Sequence, residues 1–299
     1  MKYLETEQTN PKTGKIDSME IGEILRIINE EDATIPLAIR DSIRNIEKVI
    51  KQCIKAYKGS GRIVYVGAGT SGRLAIVDAV ETVPTFNAPP GKFTYVMAGG
   101  KEAIYRSLEA VEDSSLEAEK VLADLNINEN DIVIGITARG RSPFAKGALK
   151  YASKMGARTA LIANVKDPEI GDFAETIISI ATGPEIVTGS TRMKAGSAQK
   201  MVLNMISTAT MIKQGKVYGN YMVDVLTLNE KLKIRAANMV CEITGVSQEK
   251  AKETLEDSNW SAKNAIVRLL LNISRQEAEK RLNENEGFIR KAVKGRQTE

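Results

Sequence analysis

The chain has 299 residues, of which 42% are hydrophobic and 27% are charged, enough to bury one sizeable α/β core with a small appendage. Its net charge of +4 is mild, and the basic residues are interspersed with acidic ones, so the sequence gives no sign of a nucleic-acid-binding face. It contains no histidine, which excludes the Ser-His triad and removes the commonest general base and the commonest zinc ligand.

The two cysteines predict the compartment. Cys53 and Cys241 lie far apart without the spacing of metal ligands, and no signal peptide or long apolar run stands out. We therefore expect a reduced, cytoplasmic protein that uses no metal and that has neither a membrane nor a nucleic acid as its partner.

Residues 1–58 are predicted to form an arm and helices that pack on a core. Residues 1–20 are polar and contain a proline, which is typical of an irregular arm. Between residues 21 and 57, aliphatic side chains recur at spacings of three and four, which predicts helices.

Residues 59–222 alternate between apolar strands and helices. The predicted strands are 63–66, 93–97, 131–137, 159–165 and 176–181, and the predicted helices are 71–81, 101–126, 143–156 and about 194–214. This alternation predicts a doubly wound α/β domain with a parallel five-stranded sheet, which binds ligands at the carboxyl ends of its strands. Residues 223–299 carry only helical patterns and are predicted to form a small helical subdomain, with three packed helices from about residue 240.

The first strand runs into a glycine-rich turn that opens a helix. Gly69 lets the backbone approach a ligand, and Thr70 and Ser71 add hydroxyl groups. The unpaired N–H groups and the positive dipole end of a helix start favour an anion such as a phosphate. The turn also matches the G-x-G-x-x-G dinucleotide fingerprint, but no acid ends the second strand to hold a ribose, so a phosphate monoester is favoured. A purely structural turn is the third interpretation.

Two further strand ends repeat this chemistry. After the third strand, Thr137, Arg139, Gly140 and Ser142 place hydroxyl and guanidinium donors before a helix, although solvated loop residues would look the same. Before the long helix at about 194–214 lie Ser190 and Thr191, each of which could bind an anion or only cap that helix.

Without histidine or a metal cluster, the candidates for acid–base chemistry are carboxylates. Glu81 lies where the first crossover helix ends, among apolar residues and a proline, and Glu112 follows the second strand. Apolar surroundings favour a carboxylate that acts as base or acid near neutrality, although a surface acid is the simpler interpretation of each position. Ser71 and Glu81 are ten positions apart, about 15 Å along an unbroken helix. One sugar phosphate hardly spans this distance, so either the helix breaks or two subunits of a dimer share the site.

Motifs along nearly the whole chain resemble those of the N-acetylmuramic acid 6-phosphate etherase family. The resemblance implies a sugar isomerase (SIS) fold of flavodoxin-like type with a helical tail, and a homodimer. Active sites shared between the subunits of that dimer are our preferred hypothesis for the distance between Ser71 and Glu81. It also implies cleavage of the lactyl ether of N-acetylmuramic acid 6-phosphate to N-acetylglucosamine 6-phosphate and D-lactate in peptidoglycan recycling. The matching motifs are TEQ at 6–8, GAGTSGRL at 67–74, ET-PTF at 81–86, AGG at 98–100, AVED at 110–113, GRSP at 140–143, TGSTRMKAGSAQK at 188–200 and NYMVDV at 220–225.

The resemblance also implies roles for individual residues. Glu81 matches the family's principal base and Glu112 its helper, with phosphate or sugar contacts at Ser71, Thr137 and Ser142 and, less directly, at Ser190 and Thr191. The sequence departs from the family pattern at Arg139, where a serine is usual, and at Lys15, where a histidine is frequent.

Elimination followed by hydration is the chemistry that two glutamates can perform on such an ether without any cofactor. Two alternatives stay open: a sugar-phosphate isomerase of the same fold, and a non-enzymatic sugar-phosphate sensor similar to the glucokinase regulatory protein.

Overall fold

The computed structural model describes residues 4–227 and 229–294, so the ends of the predicted segments 1–58 and 223–299, and Leu228, lie outside the described residues. The chain divides into two compact units. One comprises Met1–Val80 and Gly91–Ser207, and the other comprises Glu81–Pro90 and Thr208–Glu299. The predicted boundaries at residues 58 and 222 stay a prediction.

The N-terminal part of the first unit is an arm followed by three helices. Helix α3 buries Ile46, Val49 and Cys53, which lie on one face at spacings of three and four. Its first turn binds the last strand of the sheet, because Asn45 Nδ2 donates to the carbonyl oxygen of Ile177 at 2.8 Å. The helices are α1 (Ile21–Asp32), α2 (Ile35–Arg40) and α3 (Ile43–Lys58).

The core of the first unit is a parallel five-stranded sheet with the strand order β2-β1-β3-β4-β5, which confirms the predicted doubly wound, flavodoxin-like α/β class. Every residue of β1 and of β3 is buried, as expected of central strands covered on both faces. The strands are β1 (Ile63–Gly67), β2 (Phe93–Met97), β3 (Ile132–Thr137), β4 (Arg158–Ala163) and β5 (Thr176–Ser179).

The crossover helices differ from the prediction in two places. The helix expected over 101–126 is broken, because Ala110 adopts a left-handed conformation (φ +60°) and a short 3₁₀ turn, Val111–Asp113, follows it. The first crossover helix is longer than expected and continues through Pro84, close to its end. The helices are α4 (Gly69–Phe86), α5 (Glu102–Tyr105), α6 (Ser115–Asp124), α7 (Pro143–Lys154) and α8 (Lys194–Ile212).

Among its described residues, the second unit contains five helices from Glu230 onward, where three packed helices from about residue 240 were expected. Ser247 and Ser274 cap two of these helices, because each side chain accepts a hydrogen bond from a first-turn N–H group. The short strands β6 (Val217–Tyr218) and β7 (Tyr221–Met222) form a hairpin before these helices. The helices are α9 (Glu230–Thr244), α10 (Gln248–Asp257), α11 (Ala262–Leu271), α12 (Arg275–Glu284) and α13 (Ile289–Val293). Within the described ranges, no helix has the length and apolarity needed to span a bilayer.

Candidate active site

A cleft of about 560 Å³ opens at the carboxyl ends of β1 and β3 in the first unit. Its walls come from the loops that follow these strands, from the N-terminal arm, from the 3₁₀ turn before α6 and from the loop before α8. Of the predicted site residues, the cleft is lined by Gly69, Thr70, Ser71, Glu112, Thr137, Arg139, Ser142 and Thr191. Gly140, Ser190 and Glu81 are not among its lining residues.

The loop after β1 brings bare backbone to the cleft. A Cβ atom on Gly67 would lie 2.9 Å from the Gly72 nitrogen, and one on Gly72 would lie 2.7 Å from the Gly67 oxygen. Gly69 has φ +54°, in the left-handed region that favours glycine. The glycines therefore allow the close turn that presents the first N–H groups of α4 to the cleft.

Ser71 is hydrogen-bonded inward from this loop. Its hydroxyl donates to Gln199 Oε1 at 2.8 Å, and Gln199 Nε2 donates to Asn164 Oδ1 at 2.8 Å. All three side chains are buried. Neither Gln199 on α8 nor Asn164 after β4 stood out in the sequence as a site residue.

The loop after β3 is held by Gly140. This residue has φ +67°, and a Cβ atom here would lie 2.5 Å from Pro168 Cβ, so the position requires glycine for both conformation and space. At the end of the loop, Ser142 caps α7, accepting a hydrogen bond from the Ala145 N–H at 3.4 Å. The role found for Gly140 is therefore to shape the loop rather than to line the cleft.

Arg139 pairs with the N-terminal arm. Its Nε lies 2.6 Å from Glu7 Oε1, and both residues line the cleft. Sequence reasoning treated the arm as irregular and missed Glu7, although it lies within the TEQ motif at residues 6–8.

The arm is anchored by a buried carboxylate, Glu31. Asn10 Nδ2 and Lys194 Nζ each lie 2.8 Å from Glu31 Oε2, and Lys12 Nζ lies 3.0 Å from Oε1. Burial raises the pKa of Glu31, but the hydrogen bonds from Lys194, Lys12 and Asn10 outweigh burial and lower this pKa to about 2. Lys194 is only 3% exposed, so its charge is buried in this cluster.

The start of α8 is capped by Glu185, not by the residues expected from the sequence. The carboxylate of this buried residue accepts hydrogen bonds from the N–H groups of Lys194 at 2.8 Å and Ala195 at 3.0 Å. Burial raises the pKa of Glu185, against the effect of these two hydrogen bonds. Ser190 and Thr191 are therefore not needed as caps, and Thr191 lines the cleft.

Both candidate glutamates are exposed, but only Glu112 lines the cleft. Glu112 is exposed in the 3₁₀ turn at the cleft wall. Glu81 is exposed on α4 rather than enclosed by apolar residues as expected. Because α4 is unbroken from Gly69 to Phe86, Glu81 lies about 15 Å along the helix axis from Ser71. The first of the two sequence-based explanations, a break in the helix, is therefore wrong.

The strand order and the glycine- and hydroxyl-rich strand ends define the class as a SIS-domain protein. A SIS domain family model matches residues 109–209, and the model of the glucokinase regulatory protein N-terminal SIS domain matches residues 45–153. A solved phosphoheptose isomerase from Francisella tularensis has the same fold, with a TM-score of 0.50 and 16% identity over 63% of this chain and 98% of that chain.

Similar proteins of known name identify the family within this class. A protein named N-acetylmuramic acid 6-phosphate etherase from Petrotoga mobilis is 52% identical over 96% of both chains. Another of the same name from Pseudothermotoga lettingae is 48% identical over 98% of both chains. The chain belongs to the N-acetylmuramic acid 6-phosphate etherase family, which confirms the resemblance that the motifs indicated.

Proposed function

We propose that this chain is a carbon–oxygen lyase that cleaves the D-lactyl ether of N-acetylmuramic acid 6-phosphate. The products are N-acetylglucosamine 6-phosphate and D-lactate. The observation that carries this proposal is the cleft in which two phosphate-type loops face an acidic 3₁₀ turn, in a chain 52% identical to a protein named for this activity.

The phosphate would bind at the two loops. The N-termini of α4 and α7 offer positive dipole ends, and Ser71, Thr137 and Ser142 offer hydroxyl groups. Arg139 adds a guanidinium group, which can bind the phosphate while it stays paired with Glu7 or in place of that ion pair. This binding energy would position the sugar for the reaction.

Elimination fits the residues better than direct displacement, because an unactivated alkoxide is a poor leaving group. Once the sugar opens to its aldehyde, the hydrogen on carbon 2 is acidic and the lactyl oxygen on carbon 3 is β to the carbonyl group. A carboxylate takes the carbon 2 proton, and lactate departs with a proton from a general acid. Water then adds at carbon 3. We assign the base to Glu81 and the helper role to Glu112; no step uses a cofactor.

We further propose a homodimer in which Glu81 of one subunit acts on the sugar held by the other. Two observations support this arrangement. An unbroken α4 separates Glu81 from Ser71 by about 15 Å. Val77, one helical turn before Glu81 on the same face, and Val80, which is next to Val77 on the helix surface, are 58% and 51% exposed, and such apolar surface is typical of a subunit interface.

The reaction would belong to peptidoglycan recycling in the bacterial cytoplasm. Cys53 and Cys241 are both free, as expected in a reducing compartment. The sequence-based domain organisation, with a sugar-phosphate-binding domain at 59–222, is part of the same proposal.

Lactate release from N-acetylmuramic acid 6-phosphate tests the reaction. We expect Glu81→Gln to abolish turnover while N-acetylglucosamine 6-phosphate still binds, with the exposed Glu129→Gln as the matched control. In deuterium oxide the product should carry deuterium at carbon 2, and oxygen from labelled water should enter at carbon 3. Isomerisation without lactate would indicate the isomerase, and binding without turnover would indicate the sensor.

Mixed dimers test the shared site. A Glu81→Gln subunit keeps its phosphate loop, and a Thr70→Asp subunit keeps its glutamate. Co-refolding the two inactive variants should restore about a quarter of normal activity if each site uses both subunits, because half of the dimers would then hold one intact site. Activity near zero, with heterodimers demonstrated, would refute the shared site but not the reaction.

A further inference from the structure

A buried chain of three polar side chains runs inward from the loop after β1. Ser71 is 8% exposed, Gln199 1% and Asn164 0%. The hydroxyl of Ser71 donates to Gln199 Oε1, and Gln199 Nε2 donates to Asn164 Oδ1, both at 2.8 Å. We call these three residues the amide relay.

The direction of these hydrogen bonds conflicts with phosphate binding. A serine hydroxyl can donate only one hydrogen bond, and Ser71 donates this bond to Gln199. Toward the cleft it can therefore offer only lone pairs. A phosphate dianion needs donors, so in this arrangement the Ser71 hydroxyl can only repel it.

The surroundings of Asn164 leave room for a second arrangement of the relay. Its Nδ2 is buried and has no hydrogen-bond partner among the described residues. If both amides turn over, Asn164 Nδ2 donates to Gln199 Oε1, and Gln199 Nε2 donates to Ser71. The unpaired atom is then Asn164 Oδ1 instead of the Asn164 N–H group, so the reversed arrangement leaves no more polar atoms unpaired than the present one.

We propose that the amide relay reverses when a phosphate ester enters the cleft. In the reversed arrangement Gln199 donates to Ser71, and the Ser71 proton is free to donate to the phosphate. Gln199 and Asn164 are then positioning residues, which act through Ser71. The inference rests on the proposed function only in requiring that a sugar phosphate binds in this cleft.

The relay also joins the two phosphate loops. The backbone N–H of Asn164 donates to the carbonyl oxygen of Ala138 at 3.0 Å, and Ala138 lines the cleft in the loop after β3. Asn164 thus ties Ser71 in the first loop to the backbone of the second. Gln199 and Asn164, which do not line the cleft themselves, are therefore connected to both loops.

Acceptor-only variants test the reversal. In Gln199→Glu the carboxylate can only accept, so Ser71 stays turned inward. In Asn164→Asp the acceptor holds the Gln199 Nε2 group, so the resting arrangement is fixed without touching Ser71. We expect each to weaken binding of N-acetylglucosamine 6-phosphate by about 10- to 100-fold, the worth of a hydrogen bond to a charged group. Because the loss concerns the phosphate group, KM should rise while kcat stays within a few-fold.

A double-mutant cycle separates the relay from simple charge repulsion. In a Ser71→Ala background, Gln199→Glu should cost only a few-fold, because the hydroxyl through which it acts is gone. If Gln199→Glu weakened binding of the ester by the same factor in wild type and in Ser71→Ala, the proposal would be overturned. Gln199→Met adds a second criterion, since a glutamine that only competes for the Ser71 proton would give tighter binding when removed. The reversal instead predicts weaker phosphate-ester binding by Gln199→Met, because this variant also lacks the amide that donates to Ser71 in the reversed arrangement.

Calorimetric titration with N-acetylglucosamine 6-phosphate is the measurement, with thermal unfolding to establish that each variant folds. If Gln199→Glu does not fold, Asn164→Asp and Gln199→Met carry the test. Failure of the wild-type protein to bind this ester would refute the phosphate site itself. Normal binding by wild type and by all the relay variants would refute the reversal alone.

Discussion

The anchor of the N-terminal arm gives a prediction whose size follows from the structure. In Glu31→Gln the shape of the side chain is kept and its charge is lost. Lys194, 3% exposed, then keeps a buried charge without its counter-ion. The fall of the Glu31 pKa from 4.5 to about 2 corresponds to about 3 kcal/mol of folding free energy. Removal of one partner from a buried ion pair costs about 3–5 kcal/mol, so we expect a loss in this range.

The pH dependence has a definite sign. Because the folded-state pKa of Glu31 lies below its unfolded value, its contribution is fully present above pH 4.5 and is lost as pH falls towards 2. Urea unfolding at a series of pH values should therefore show wild type and Glu31→Gln far apart at pH 7. The two free energies of unfolding should converge as pH falls through this window.

The neighbouring exposed acid provides the control. Glu30→Gln removes the same charge one position away and should change the free energy of unfolding by less than about 0.5 kcal/mol. If Glu31→Gln behaved like Glu30→Gln at pH 7, or if its difference from wild type did not shrink on acidification, the buried cluster would not stabilise the protein as argued.

Three further predictions concern the loops and the second unit. Arg139→Ser should weaken N-acetylglucosamine 6-phosphate binding by about 3- to 10-fold at low salt and less at high salt, measured by titration; an unchanged affinity would exclude a guanidinium contact. Gly140→Ala should cost about 2–4 kcal/mol in urea unfolding, against about 1 kcal/mol for Gly183→Ala, which has nearly the same φ but open space around it. Asp224→Asn should cost about 2–4 kcal/mol, because two largely buried lysines share that carboxylate; a loss no larger than that of exposed Glu230→Gln would contradict this.

The sequence was sufficient for features fixed by local pattern. Strand ends that carry glycine and hydroxyl groups predicted the cleft, because parallel strands end at one edge of a sheet. Gly69 and Ser71 therefore line the cleft as expected. The break at Ala110 was not predictable, because alanine favours helix and adopts φ +60° here against its local preference.

The features that escaped prediction depend on contacts between residues distant in the chain. Ser71 and Gln199 are 128 positions apart, and Lys194 and Glu31 are 163 apart. No periodicity links such positions. Lys194 and Gln199 both lie in the TGSTRMKAGSAQK motif, but only the folded chain distinguishes a buried ion pair from a surface charge, or a hydrogen-bond relay from a solvated amide.

The division into two units bears on how Glu81, the proposed base, is held in place. Glu81 and the segment after it, to Pro90, belong to the same compact unit as the C-terminal helices. Within that unit Lys216 Nζ donates to the carbonyl oxygen of Asn87 at 3.2 Å and is itself paired with Asp224. Lys263 binds the same carboxylate at 3.1 Å. The end of the helix that carries Glu81 is thus fixed by the second unit, while the phosphate loops belong entirely to the first. If Glu81 is the base as proposed, phosphate binding and placement of the base depend on different units, so we expect substitutions in the second unit to lower kcat more than they weaken sugar-phosphate binding.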